Sequence, residues 1–217
     1  MAVTEINEAQ LKRLLSQHKS WLDAFNQGTE IEDAVQLAMS DACFPEGNIA
    51  NTDISNAEII GCTFRNAQFE SCDFLYTDFT NSVFSDCSFI NCKFAKANFT
   101  RVNADGVKFC GSDFTRADFT DAILKGADLT NCIFDWAWLL RTDVRFAILE
   151  GTRFERARLS GTKLYNATRF HLGKTVGAIV KDIDFSPDGN SAELIDVEVF
   201  ERLSKKFSGS HKRNSLT

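Results

Sequence analysis

Large apolar residues recur at every fifth position over more than a hundred residues of this chain. The series begins at Phe44 and keeps its phase to Leu164, and the small residue Ala104 interrupts it once. Mostly small residues stand two positions earlier, among them Cys62, Ala67, Cys72, Thr77, Ser82, Cys87, Cys92, Ala97 and Cys132. A period of five matches neither a helix nor a strand. We therefore expect a backbone in which two residues of every five point inward and three point outward.

The repeated unit resembles the A(D/N)LXX motif of the pentapeptide-repeat family. The segments that carry the resemblance include Ala117-Asp118-Phe119, Ala127-Asp128-Leu129, Ala97-Asn98-Phe99 and Thr77-Asp78-Phe79, and it extends over residues 42–168. It implies an all-β solenoid, namely a right-handed quadrilateral parallel β-helix with four repeats per coil and about six coils. Residues twenty apart would then stack in ladders, such as Phe74, Phe94, Phe114 and Phe134.

The beginning and end of the repeat divide the chain into four segments. They are a capping helix with an entry segment (1–40), the β-helix (41–169), a C-terminal segment packed on the last coils (170–207) and a disordered tail (208–217). Thr4 is the expected N-cap and Gly28 the expected end of the helix, whose apolar stripe includes His18 and Phe25. The helix either covers the open end of the β-helix or binds a partner. Within the C-terminal segment, residues 174–185 are expected to be extended, and residues 191–206 form either a helix or a strand.

The candidate chemistry excludes several classes of protein. Five of the seven Cys lie in the small inward series, which indicates packing in a reducing compartment and no disulfide framework. The chain has no CxxC pair, no clustered His and no catalytic motif, so we expect no metal, no cofactor and no enzymatic activity. It has no apolar run of membrane-spanning length and no secretion signal, which predicts a cytoplasmic protein with no membrane partner.

The charge is distributed unevenly along the predicted rod. The net charge is −6, but residues 41–90 hold eight acids and one base, whereas residues 141–170 hold seven bases and three acids. Two acidic columns are expected on adjoining faces, namely Asp53, Asp73 and Asp113, and Glu58, Asp78 and Asp118. These columns are either a recognition surface or a solvated face, because the repeat itself favours Asp at these positions.

A further outward column combines aromatic and basic residues. It consists of Tyr76, Lys96, Arg116, Trp136 and Arg156, so Trp136 is expected to stack between two Arg side chains. Trp136 and Trp138 belong to an outward apolar cluster that also includes Ile133, Leu140 and Phe146. So much exposed apolar surface predicts a cover. Either residues 174–207 fold back over it, or a partner binds there, including a second copy in a homodimer through the C-terminal coils.

The resemblance implies a non-enzymatic binding module. The first hypothesis is a scaffold or regulator that binds another protein through its flat coil faces, and the sequence does not specify that partner. The alternative is a bacterial DNA mimic that binds type II DNA topoisomerase (gyrase) and gives resistance to quinolones or peptide toxins, as some members of the family do. An acidic surface would match the basic DNA groove of that enzyme, although the last coils are basic. Direct nucleic-acid binding is not expected at this net charge.

Overall fold

The chain folds into a four-sided parallel β-solenoid of about seven turns with one helix at its start. The computed structural model describes residues 4–30, 34–167 and 177–184. The helix is α1 (Glu8–Gln27). The strands are β1 (Thr4–Glu5), β2 (Ala38–Ser40), β3 (Ala42–Phe44), β4 (Gly47–Ala50), β5 (Glu58–Ile60), β6 (Thr63–Arg65), β7 (Ala67–Glu70), β8 (Val83–Ser85), β9 (Ser88–Ile90), β10 (Arg158–Ser160) and β11 (Ile179–Lys181).

Successive coils pair in parallel with an offset of twenty residues, which confirms the predicted period. Phe64 pairs with Phe44 on one side and with Phe84 on the other. After residue 90 and before β10, each side of a coil contributes a single bridge residue, as in Asp113 with Ile133. The reason is geometric, because five residues form each side and the last of them must turn the corner.

The corners need a left-handed backbone at every fifth residue. Asn131 has φ 58° and Gly111 has φ 71°, and Asn and Gly are the residues that adopt this conformation most readily. Gly111 is also required by stacking, because a Cβ there would lie 2.3 Å from the side-chain oxygen of Asn91 in the preceding coil.

The four sides are numbered here by the large residues at their centres. Face 1 is centred on Phe44 to Leu164, face 2 on Ile49 to Leu149, face 3 on Ile54 to Phe154, and face 4 on Met39 to Val180, each in steps of one coil. All of these central residues are buried except Ile49, which is partly buried. The small residues two positions earlier in the repeat are buried as well from Ala57 to Thr162, including the five Cys of the inward series.

The phenylalanine ladders form as predicted. On face 3, the rings of Phe74 and Phe94 stack with centroids 4.9 Å apart, and Phe94 and Phe114 repeat that distance. Ala104 leaves a gap in the ladder of face 1, and the flanking rings of Phe99 and Phe109 contact each other across it at 6.3 Å.

The N-cap residue of the first helix differs from the prediction. Asn7, not Thr4, is the N-cap of α1, because its side chain accepts a hydrogen bond from the Gln10 N–H at 2.9 Å. The Gln10 side chain accepts one in return from the Asn7 N–H, which completes a capping box. Thr4 instead belongs to β1, which pairs with β3 and covers part of the first open strand edge.

The helix α1 packs on the first coil through Leu11, Leu22 and His18. His18 is fully buried, and it makes more than packing contacts. Its Nδ1 accepts from the Leu37 N–H at 3.0 Å, and its Nε2–H donates to the Ser55 carbonyl at 3.0 Å. Phe25, which was predicted to lie in the apolar stripe, is exposed and stacks on Trp21. Among the described residues, no helix is long and apolar enough to cross a membrane.

The solenoid extends beyond the predicted residues 41–169 at both ends. Residues 38–40 already pair with the next coil, and β11 pairs with β10 at an offset of 21 residues. These additions explain why there are about seven turns and not six. The extended conformation expected for 174–185 is present over 179–181. The predicted helix or strand over 191–206 and the tail 208–217 lie outside the described residues.

Candidate protein-binding surface

The solenoid brings all the predicted site residues onto faces 3 and 4 and the edge between them. We call the outward columns of this region the binding strip. They are Asp53, Asp73, Lys93, Asp113, Ile133 and Arg153 on face 3; Tyr76, Lys96, Arg116, Trp136 and Arg156 on the edge; and Glu58, Asp78, Asn98, Asp118, Trp138 and Arg158 on face 4. The aromatic–basic column therefore lies between the two acidic columns. Leu140 lies on face 4 as well, two residues after Trp138.

The Asp side chains of the strip hold the local backbone. In Asp73, Asp78 and Asp118, Oδ1 accepts a hydrogen bond from the N–H two residues later, at 2.8–3.0 Å. Asp53 and Asp113 make the same contact at 2.9 Å. Such Asx turns satisfy backbone donors at the corner. They give the repeat preference for Asp a structural cause. The second carboxylate oxygen of Asp73 pairs with Lys93 Nζ at 3.6 Å.

The other end of the strip is aromatic and basic. Trp136 and Trp138 are 45% and 46% exposed. The guanidinium of Arg156 lies 4.7 Å and that of Arg116 5.9 Å from the Trp136 ring, which confirms the predicted stacking. Arg158 lies 5.6 Å from the Trp138 ring. We call these five residues the Trp–Arg patch.

Trp136 occupies a corner with φ 62°. A bulky residue with positive φ is a backbone outlier that costs energy unless its surroundings stabilise it. Asn or Gly would adopt this corner conformation with less strain. Contacts of the Trp136 side chain must therefore offset the strain. Within the described chain, those contacts are the two Arg side chains of the neighbouring coils.

Three residues of the predicted apolar cluster do not match the prediction in full. Ile133 and Leu140 are only partly exposed. Phe146 is 41% exposed but lies on the opposite edge, where it contacts Tyr165 with centroids 5.7 Å apart. The cause is the coil length, because ten residues after Trp136 amount to half a coil.

The predicted cover does not form in the part of residues 174–207 that the structure describes. Residues 179–181 add a rung to face 4, and Ile179 continues the column of Trp138 and Arg158 instead of lying across it. Val180 and Ile183 turn inward and are buried. The rest of residues 174–207 lies outside the described ranges.

A shallow depression lies at the acidic end of face 4. Its volume is about 380 Å³, and it is lined by Gln36, Asn56, Ala57, Glu58, Ile60, Tyr76 and Asp78. Its lining is mostly polar, and the carboxylates of Glu58 and Asp78 make it complementary in charge to an Arg-rich surface.

The ion pair between Arg153 and Asp135, which lies beside the Trp–Arg patch, was not predicted from the sequence. Arg153 donates from Nε to Oδ1 of Asp135 at 2.9 Å and from a terminal nitrogen at 2.5 Å to the second oxygen. Asp135 is nearly buried and also accepts from the Glu155 N–H. The sequence could have indicated this ion pair, because Arg153 follows Asp135 by eighteen residues, which is almost one coil.

The described residues contain no group of three or more His, Cys, Asp or Glu placed to hold a metal ion. All seven Cys are free. Burial raises the pKa of the Cys132 and Cys62 thiols. Cys72 and Cys92 lie one coil apart in the inward series, and their interaction lowers the pKa of the Cys72 thiol and raises that of Cys92.

Parallel coils with four sides, an interior of alternating small and large ladders and uniform corners define a β-solenoid repeat protein. The family model for the pentapeptide repeat region matches residues 62–137 and, in a second alignment, residues 82–164. The chain belongs to the pentapeptide-repeat family.

Several solved structures are similar to this chain. A pentapeptide repeat protein from the thylakoid lumen of Arabidopsis thaliana is 22% identical with a TM-score of 0.42, over 44% of this chain and 66% of that one, which is about two thirds of its length. A trypsin-treated variant of QnrB1, a plasmid-mediated fluoroquinolone resistance protein, is 18% identical with a TM-score of 0.37, over 78% and 89% of the two chains. HetL from Nostoc sp. strain PCC 7120, which is involved in heterocyst differentiation regulation, is 16% identical with a TM-score of 0.25, over 78% and 96%. At these identities the likeness concerns the fold alone. No curated protein matches the chain significantly.

Proposed function

We propose that this chain is a non-enzymatic scaffold or regulator that binds another protein on the binding strip. The observation that carries the proposal is the Trp–Arg patch. Trp and Arg are the residues that most often dominate binding energy in protein interfaces. Here Trp136 and Trp138 are held by stacked guanidinium groups on a rigid rod, so little side-chain freedom remains to be lost on binding.

The charge distribution supports a partner with a defined orientation. Six carboxylates of the strip lie between Asp53 and Asp118, and the bases of the patch follow them along the same two faces. A partner with the inverse order of charges would be steered into one register along the rod.

Site-specific photo-cross-linking in the source cell tests this proposal. A photoreactive amino acid replaces Trp138 in one variant and Ile123 in a matched control. Ile123 occupies the equivalent repeat position on face 1 and is 40% exposed. We expect a discrete adduct with another protein from position 138, and loss of that adduct when Trp136→Asp and Arg156→Glu are added. Adducts of equal yield from both positions would contradict a binding role for the strip.

A second candidate function is binding of type II topoisomerase, and the acidic part of the strip favours it. Residues 41–90 carry a net charge of −7, counted from eight acids and one base, and the rungs repeat at about 4.8 Å. The test is a gyrase supercoiling assay with added protein. This function predicts a dose-dependent effect that Asp73→Asn with Asp78→Asn abolishes and Trp138→Asp leaves intact. No effect of the wild-type chain would reject it.

We also propose a cytoplasmic location. The support is that all seven Cys are free and that five of them are buried in the core, which fits a reducing compartment. Cell fractionation tests this, and recovery of the protein from an oxidising compartment would contradict it.

A further inference from the structure

We propose that face 4 binds a second copy of this chain in antiparallel orientation, with a two-fold axis that crosses the face between Asn98 and Asp118. The proposal rests on the proposed function, because it names a partner for part of the binding strip. It differs from a dimer through the C-terminal coils alone, since both halves of the rod take part.

The first argument is the order of residues in the outward column of face 4. When two rods meet face to face about a two-fold axis perpendicular to them, each column meets itself in reverse order. With the axis between Asn98 and Asp118, the opposed pairs are Glu58 with Arg158, Asp78 with Trp138, and Asn98 with Asp118. The Glu58–Arg158 pair occurs twice in such a dimer. Neither residue makes a salt bridge to another described residue within its own chain.

The second argument is shape. The same arrangement places Trp136 opposite Tyr76 and Arg156 opposite Asn56 along the edge of face 4. Tyr76 and Asn56 line the depression of about 380 Å³, together with Glu58 and Asp78. The Trp–Arg patch of each copy therefore faces the depression of the other. On the opposite edge of face 4, the same reversal sets Arg101 against Asp121.

Other arrangements of two copies on this face are less favourable. Sliding one copy by a single rung in one direction sets Asp78 against Asp118 twice, and sliding it in the other direction sets Asp118 against its own copy and leaves Glu58 without Arg158. A parallel arrangement opposes the acidic half of one rod to the acidic half of the other. Like charges directly opposed are destabilising, so the charge order selects the antiparallel register.

One pair is unfavourable in the proposed register. Lys96 and Arg116 face each other at the margin of the contact. Each already has an aromatic partner in its own chain, since Lys96 lies 4.5 Å from the Tyr76 ring and Arg116 stacks on Trp136. Charges at a rim remain solvated and contribute little, so this pair weakens the contact without preventing it.

The size of the contact sets the expected strength. From Glu58 to Arg158 there are five steps of about 4.8 Å, so the face contributes a length of roughly 24 Å. This is at the small end of specific protein interfaces. We therefore expect a dimer with a dissociation constant in the micromolar range that weakens as salt is added.

Charge exchange on the full chain tests the proposal by sedimentation velocity. Glu58→Arg alone opposes two Arg at each end of the contact, and Arg158→Glu alone opposes two Glu. We expect each single variant to be monomeric at concentrations where the wild-type chain is dimeric, with at least a tenfold increase in the dissociation constant. An equimolar mixture of the two single variants restores both opposed pairs, so it should form a heterodimer with about the wild-type dissociation constant.

A control variant on the opposite face separates this effect from a change in net charge. Lys108→Glu changes a charge at the equivalent repeat position of face 2 and should leave dimerisation unchanged. Thermal melts show whether each variant is folded. A wild-type chain that stays monomeric up to several hundred micromolar, or a mixture of the two variants that stays monomeric, overturns the proposal. Either result leaves the cross-linking test of a different protein partner unaffected, so the two proposals fail separately.

Discussion

His18 shows how a single buried side chain connects two parts of the molecule. Both of its ring nitrogens are used, one as an acceptor for the Leu37 N–H and one as a donor to the Ser55 carbonyl. This arrangement requires a neutral ring with its proton on Nε2. Burial lowers the pKa of His18 below its ordinary value of about 6.5, and the hydrogen bond to Ser55 opposes that effect only in part.

The lowered pKa of His18 predicts that acid weakens the helix cap. The unfolded chain binds a proton on His18 below about pH 6.5, whereas the folded chain resists it, so the free energy of unfolding falls as the pH falls below that value. Urea unfolding between pH 7.5 and 5.5, followed by Trp21 fluorescence, measures this. His18→Gln should be less stable at pH 7.5 and should show a flatter dependence on pH. An equal slope in both proteins would contradict the assignment.

The role of His18 was only partly predictable. Its position in the apolar stripe correctly predicted burial, and packing was the expected role. Both hydrogen-bond partners are backbone groups, 19 and 37 residues away, and a backbone group has no sequence signature. The predicted N-cap was wrong because the prediction considered one residue, Thr4, whereas the observed capping box depends on the pair Asn7 and Gln10.

At the scale of the structural element, the phenylalanine ladders determine how much each coil depends on its neighbours. Phe94 is stacked on both sides with centroids 4.9 Å apart, by Phe74 and Phe114. Phe84 has a ladder partner on one side only, the tilted ring of Phe64 with centroids 4.8 Å apart, because the next residue of its ladder is Ala104. The rings of Phe99 and Phe109 already occupy part of the space beside that gap.

Removing one ring from each ladder tests this difference. Phe94→Ala should lower the free energy of unfolding by about 3–5 kcal/mol, the usual range for a buried Phe replaced by Ala. Phe84→Ala should lower it by less, since one side of the ring has no stacking partner. Urea denaturation of both variants measures the difference, and Phe94→Leu should recover part of the loss. Equal losses at the two positions would show that stacking between coils contributes little.

At the scale of the whole molecule, the last described rung extends the rod beyond β10. Val180 and Ile183 are buried, and β11 supplies the parallel partner of β10. In a solenoid each coil is stabilised mainly by its neighbours, so loss of the last rung exposes the core and strand edge of the preceding one.

Ending the chain after residue 167 tests the role of this rung. We expect a lower melting temperature, because the truncated rod exposes apolar residues of the coil around Leu159. The loss of residues 177–184 by itself should give no red shift of the Trp emission, because these residues do not lie on Trp136 or Trp138. A red shift would instead show that the removed segment covers the Trp–Arg patch, as the sequence had suggested.

The sequence by itself determined the architecture of this protein. The fixed period of five predicted two inward and three outward positions in each unit, and the resemblance to the pentapeptide-repeat family implied the four faces, the offset of twenty residues and the ladders. The columns of the binding strip followed from the same arithmetic, from Asp53 and Glu58 to Trp138 and Arg156.

Only the tertiary structure decided which contacts form at the surface and at the ends of the rod. The ion pair of Arg153 with Asp135, the backbone partners of His18 and the path of residues 177–184 depend on how neighbouring segments pack. The periodic part was predictable because every coil repeats the same local geometry. The ends and the surface were not, because their contacts join residues that the repeat does not relate.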